Sequence, residues 1–223
     1  MSAPVALILG AGARVGQSVA RAFAAEGYRI ALVARSAPKK DADGKQAYLH
    51  IKADLADPSS VAGIFDQVKK QLGVPQVVVY NAAAGIGDAL TVSLADFAAS
   101  LAINTTSVYA AAQEATAGFK TLSAGGAFIY TGNITNELPI PALGPVSIGK
   151  SATATLIQVF VGSPHKGAHS RYYYADERNA DGSHVGGALD GDAHAALYTT
   201  LAKAPAQGPW QQTFVKGVGY KKF

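Results

Sequence analysis

Apolar residues along this chain fall into short unbroken runs that alternate with stretches of helical spacing. Val5-Ala6-Leu7-Ile8-Leu9 is one such run, stopping at Gly10, as expected of a strand buried on both faces. From Val15 to Glu26 apolar residues return at Val15, Val19, Ala20, Phe23 and Ala24, which is one face of a helix that Gly27 ends. The same patterns predict strands over Arg29–Ala34, Ala47–Ala53, Val77–Tyr80, Ala127–Thr131, Arg171–Ala175 and Gln211–Val215. Helices are predicted after Asp57-Pro58-Ser59, with Asp57 as N-cap and Pro58 in the first position, and over Leu94–Phe119 behind a Ser93 cap. Two more are predicted over Val146–Val161 and Asp192–Lys203. Strand and helix alternate throughout, which predicts an α/β chain with a doubly wound parallel sheet in three αβα layers. Ser36–Gly44, Asn133–Pro145 and Asp176–Gly191 carry the least regular patterns.

Composition narrows the class. With 223 residues and no linker or repeat, 1–223 reads as a single domain long enough to bury a substantial core. The chain is 49% hydrophobic and 15% charged, which excludes a disordered protein. It has no cysteine, so a disulfide framework, a thiolate nucleophile and a Cys-based zinc site are excluded, and a reducing, cytoplasmic location fits. The net charge is +4, but the basic residues are scattered apart from Lys39-Lys40, Lys69-Lys70 and Lys221-Lys222. That is a solvated surface and not a nucleic-acid stripe. No apolar run approaches the roughly 20 residues that span a membrane. The start lacks a basic lead and a cleavage region and reads as a strand.

Chemistry concentrates at the carboxyl ends of the strands, where open α/β sheets bind ligands. The turn Gly10-Ala11-Gly12-Ala13-Arg14-Val15-Gly16 joins the first strand to the first helix. Glycine there lets the chain turn tightly and lets a diphosphate approach the backbone, and the helix N-terminus adds free N–H groups. This makes the fold Rossmann-like. The turn, followed in order by Asp54-Leu55, Asn81-Ala82-Ala83, Asn104 and Lys150, resembles the short-chain dehydrogenase/reductase family over roughly residues 4–175. The family loop is Gly-x-x-x-Gly-x-Gly; Gly10 and Gly16 match its outer glycines, and Arg14 stands at the middle one. The resemblance implies that Gly10, Gly12, Arg14, Val15, Gly16, Asp54, Leu55, Asn81, Ala82, Ala83 and Lys150 line a dinucleotide site. It also implies a small-molecule substrate and a homodimer or homotetramer built on the Leu94–Phe119 and Val146–Val161 helices. Asp54 is equally readable as a turn residue, Asn81 as a cap for backbone groups, and Asn104 as a helix residue that bonds the neighbouring strand. After the second strand come Arg35 and Ser36 with no acid, an arrangement that favours the 2′-phosphate of NADP(H) over NAD(H). Arg14 is expected to join them; the alternative for Arg35 is a solvent-facing side chain.

The chemical end departs from the family. Aligned on Lys150, the position of the family's tyrosine holds Val146, and that of its serine holds Asn133. The tyrosine of the family protonates the carbonyl oxygen and the serine polarises it. The resemblance leaves Lys150, Asn133 and Asn104 as catalytic candidates, with Lys150 either binding ribose or acting as the acid. Ser147 points about 100° away from position 146 on a helix. Tyr109, Tyr130 and Tyr174 are other phenols to consider. Where the family has Pro-Gly after the sixth strand, this chain has Asp176-Glu177-Arg178. His165 and His169 sit beside Pro164 and Gly167 and read as loop residues, with no metal site expected. Trp210 reads as core or interface. Three functions stay open: a divergent NADP(H) oxidoreductase, a non-redox enzyme on the same scaffold, and a cofactor-binding regulatory protein without turnover.

Overall fold

Eight strands form one sheet among the described residues, in the order β3-β2-β1-β4-β5-β6-β7-β8. The structure, a computed structural model, describes residues 3–36, 48–85, 87–167 and 169–223. Lys39-Lys40, Ala47 and most of the stretch Ser36–Gly44 lie outside them. The strands are β1 (Val5–Leu9), β2 (Arg29–Ala34), β3 (Leu49–Lys52), β4 (Val77–Tyr80), β5 (Gly126–Thr131), β6 (Ser170–Glu177), β7 (Gln211–Val215) and β8 (Gly219–Tyr220). All neighbours pair parallel except β7 and β8, a terminal antiparallel hairpin too short to register in the hydrophobic pattern. Helices α1 (Val15–Ala25) and α6 (Gly191–Lys203) cover one face, where Val19, Phe23, Tyr198 and Leu201 pack on Ile8, Val79 and Ile129. Helices α2 (Ser60–Gln71), α4 (Ser107–Phe119) and α5 (Gly144–Gly162) cover the other, over Leu7, Val78, Phe128 and Tyr172. The fold is therefore the expected three-layer Rossmann-like sheet. No helix among the described residues is long and apolar enough to cross a membrane.

Three local features differ from expectation. Helix α2 starts at Ser60, because Asp57 caps a preceding turn instead: its Oδ1 accepts from the Ser59 amide (3.0 Å) and hydroxyl (2.7 Å). The expected Leu94–Phe119 helix is α3 (Leu94–Leu101) and α4 joined by a π-helical stretch, Ala102–Thr106. Asn104 lies in that stretch, and its amide reaches back to the Ser100 carbonyl (2.9 Å), competing with the regular helical bond. Strand β6 continues past Ala175 to Glu177, so Asp176 and Glu177 are in-sheet and buried, and Arg178 just beyond them is buried too. Arg178 makes this possible by pairing with Asp176 (2.5 Å) and Glu137 (2.9 Å).

Candidate active site

Leu9 pairs with Val33 on one side and Tyr80 on the other, so the turns after β1, β2 and β4 open at one edge. They enclose a cleft of about 440 Å³ lined by Gly10, Gly12, Arg35, Ser36, Asp54, Leu55 and Asn81-Ala82-Ala83, among others. The backbone sets its shape. Gly10 has φ +100°, and a Cβ there would stand 2.5 Å from the Ala82 amide nitrogen. A Cβ on Gly16 would stand 2.7 Å from the Gly10 carbonyl oxygen, whereas one on Gly12 would meet nothing within 4 Å. Asn81 ties the turn down, donating from Nδ2 to the Gly10 carbonyl at 2.8 Å. Asp54 accepts the Ala56 amide at 2.9 Å and so also serves its own turn. Helix α1 has no side-chain cap and no acid in its first turn, leaving its terminal amides and dipole for an anion. A glycine cradle, an uncapped helix end and a basic rim fit a dinucleotide diphosphate.

A larger cavity of about 890 Å³ adjoins this cleft and shares Gly12, Ala13, Asn81, Ala83 and Ala84 with it. Asn133, Val146 and Lys150 line the cavity together. Lys150 is almost wholly buried; its Nζ donates to the Thr131 carbonyl at 2.9 Å and lies 4.8 Å from the Tyr130 ring centroid. Burial lowers its pKa to about 8, against the raising effect of Asp176. Asn133 caps the turn Ile134–Asn136: its Oδ1 accepts from the Thr135 amide (3.1 Å) and hydroxyl (2.6 Å), which orients Nδ2 as the remaining donor. Arg14 and Val15 line this cavity and not the first cleft. Arg14 donates to the Gly187 carbonyl at 3.2 Å, so the expectation that it joins Arg35 is not what the structure has. Asn104 is fully buried behind the cavity, donating to the Ala84 carbonyl at 2.6 Å, and its own carbonyl accepts from Thr153 at 2.5 Å.

The family model described as enoyl-(acyl carrier protein) reductase matches residues 10–160. The short chain dehydrogenase/reductase dmxR12 of Cryptosporiopsis sp. (strain 8999) is 41% identical over 240 residues, covering 100% of this chain and 96% of that protein. The chain belongs to the short-chain dehydrogenase/reductase family. The 3-beta-hydroxysteroid dehydrogenase of Comamonas testosteroni is 28% identical over 156 residues, 68% of this chain and 61% of that one. A metagenomic short-chain oxidoreductase crystallised with NADP shares the fold at a TM-score of 0.83 and 19% identity, with 96% of this chain and 98% of that chain covered.

In this short-chain dehydrogenase/reductase the cavity also holds groups that residue patterns did not single out: Glu177 at the end of β6, His184, and His194 on α6. Glu177 was hidden because the pattern ended β6 at Ala175; the rule that ligands meet strand carboxyl ends would have flagged it had the strand been carried further. No tyrosine lines the cavity among the described residues. The Tyr130 hydroxyl points to the Asn104 carbonyl (3.4 Å) and that of Tyr174 to the Asn133 carbonyl (2.8 Å), and burial raises both phenol pKa values. Tyr109 lies away from it, beside Phe160. Ser147 is buried and its hydroxyl accepts the Ile140 amide at 3.3 Å. No group of three metal-ligating side chains occurs among the described residues.

Proposed function

We propose that this protein is an NADP(H)-dependent oxidoreductase acting on a small carbonyl or alcohol substrate, with a proton donor other than the family's tyrosine. The observation that carries this reading is the adjacency of the two spaces: the glycine cleft and the cavity that Lys150 lines have Gly12, Ala13, Asn81, Ala83 and Ala84 as common walls. The dinucleotide, when bound, supplies or accepts hydride. Arg35 and Ser36, which follow β2 with no acid next to them in the sequence, would hold a ribose 2′-phosphate. The residues Gly10–Gly16 and the α1 N-terminus would hold the diphosphate. Lys150 would bind ribose hydroxyls and hold positive charge beside the developing oxyanion. Asn133 would donate from Nδ2 to the substrate oxygen. Val146 contributes only an apolar wall.

The test is a panel of ketones, aldehydes and quinones monitored for NADPH loss. The expected result is turnover of some members with poor rates on simple ketones. Tight NADPH binding with no loss on any member would favour the cofactor-binding reading without turnover. Residues 1–223 are proposed to act as one domain in a homodimer or homotetramer through α4 and α5. The exposed Tyr109, Ile148 and Val159 on those helices support this, and a monomer in light scattering at micromolar concentration would rule it out.

A further inference from the structure

We infer that Glu177 is the proton donor of this cavity and His194 its partner, in place of the hydroxyl groups that positions 146 and 133 lack. The inference rests on the redox reading above. Both side chains line the cavity that Lys150 lines, one from the end of β6 and one from α6, and both are nearly sealed from bulk solvent at 3% and 2% exposure. Glu177 Oε2 lies 3.4 Å from His194 Nδ1 and accepts the Asp190 amide at 2.7 Å. Glu177 Oε1 makes no hydrogen bond among the described residues and is not one of their sealed, partnerless atoms, and Glu177 lines the cavity. His194 Nδ1 is 2.7 Å from the Asp190 carbonyl, which makes Nδ1 the protonated nitrogen and leaves Nε2 as an acceptor. The ring is held edge-on by Tyr198 and Phe214, at centroid distances of 5.7 and 5.0 Å. A carboxyl that only tied down the Asp190 loop would need neither an open oxygen nor a buried imidazole.

The surroundings suit the task. Burial raises the Glu177 carboxyl above its ordinary value, opposed by the hydrogen bond from the Asp190 amide and by Lys216, while the charge of Asp190 adds to the rise. Burial lowers His194, and Lys150 across the cavity lowers it further against the pull of Asp190. The other charged or titratable groups around the pair are Arg14 and His184 on the cavity wall and Asp176 and Arg178 next to Glu177 in sequence. In reduction, a C–H bond forms at the carbonyl carbon from hydride of the reduced dinucleotide, and the π pair moves to oxygen. That oxygen takes a proton from the Glu177 carboxyl, whose own O–H bond breaks as the new O–H bond forms. The carboxylate left behind is reprotonated from solvent by way of His194. Oxidation runs the same steps backwards, with Glu177 as the base.

The experiment compares the full chain with Glu177→Gln, Glu177→Asp and His194→Gln, each checked by thermal melting. Its readouts are NADPH affinity by calorimetry, the pH profile of carbonyl reduction, and the His194 ring signal in NMR. Glu177→Gln is expected to lower kcat by about 10²-fold or more, the usual worth of a general acid, with NADPH affinity little changed. It should also remove the fall in rate at high pH, and Glu177→Asp should restore part of both. The titration of His194 should move in Glu177→Gln. An unchanged kcat and pH profile in Glu177→Gln, or a loss confined to NADPH affinity, would overturn the inference and leave the redox reading standing. If Glu177→Gln does not fold, His194→Gln decides: a shifted high-pH limb supports the pair and an unshifted one overturns it. Wild-type protein that binds NADPH but reduces no carbonyl would overturn both readings.

Discussion

The cleft and the cavity are neighbours with different construction. The cleft gets its shape from main chain: a left-handed Gly10, the close pass of Gly16 over the Gly10 carbonyl, and an α1 N-terminus with no side-chain cap, which suits an anion. Its asparagine, Asn81, is spent on holding the turn. The cavity gets its chemistry from side chains on β6, α5, α6 and the loop after β5. A backbone site survives replacement of many side chains, so Arg14 can stand at the middle position of the family's glycine loop without loss of the turn. A side-chain site changes its chemistry with each replacement. On the reading proposed above, Val146 and Asn133 stand at the positions of the family's tyrosine and serine, and Glu177 and His194 are the candidates for their task.

The largest expected effect probes the side-chain half. In a Glu177→Gln background, adding Val146→Tyr and Asn133→Ser should raise carbonyl reduction by about 10²-fold, within the range of one general acid. No gain, in a protein that still binds NADPH, would mean the cavity cannot place a phenol over the substrate. The backbone half is probed by Gly10→Ala. A forced positive φ and a 2.5 Å approach to the Ala82 nitrogen should cost about 3 kcal/mol, seen as a clear drop in Tm. Gly12→Ala, facing open space, should leave Tm nearly unchanged and weaken NADPH binding in calorimetry. Equal melting temperatures for the two would contradict the backbone account.

Arg35→Ala should weaken NADPH by about 1.5–3 kcal/mol, roughly ten- to a hundredfold, and leave NADH almost unaffected, as read by parallel titrations. The smallest effect concerns Lys150. Its folded pKa of about 8 lies below the ordinary 10.5, so the fold disfavours its charged form. Below about pH 8 that cost is fully present. Between about 8 and 10.5 the unfolded chain still holds the proton that the fold has released, so stability rises with pH across this window. Lys150→Met should therefore be more stable than wild type at pH 7 by about 1–2 kcal/mol while losing activity, and its advantage should shrink towards pH 10. Chemical denaturation at the two pH values reads this directly.

Strand positions were legible because parallel strands covered on both faces are nearly pure apolar runs, as in β1 and β4. The glycine turn was legible because its chemistry follows from its place after β1. Asp176 and Glu177 were not legible as strand, since charged residues end a hydrophobic pattern; the ladder to β7, with Asp176 opposite Thr213 and Glu177 opposite Phe214, carries β6 on, and Arg178 pairs with the buried Asp176. The π-helical stretch depends on Asn104 reaching Ala84 and Ser100, which no local pattern encodes. His194 was placed on the right helix, but its approach to Glu177 exists only in the folded chain. Arg14, expected beside Arg35, donates to the Gly187 carbonyl and lines the larger cavity, a contact 173 residues away that no local pattern encodes.

The most direct test of hydride chemistry without the family's tyrosine is isotope transfer. NADPH deuterated at the transferable position would be incubated with the protein and the carbonyl panel, and products read by mass spectrometry. The expected result is one deuterium on the carbinol carbon of a reduced product, formed by wild-type protein with Val146 in place. Full NADPH binding with no deuterium in any product would contradict it.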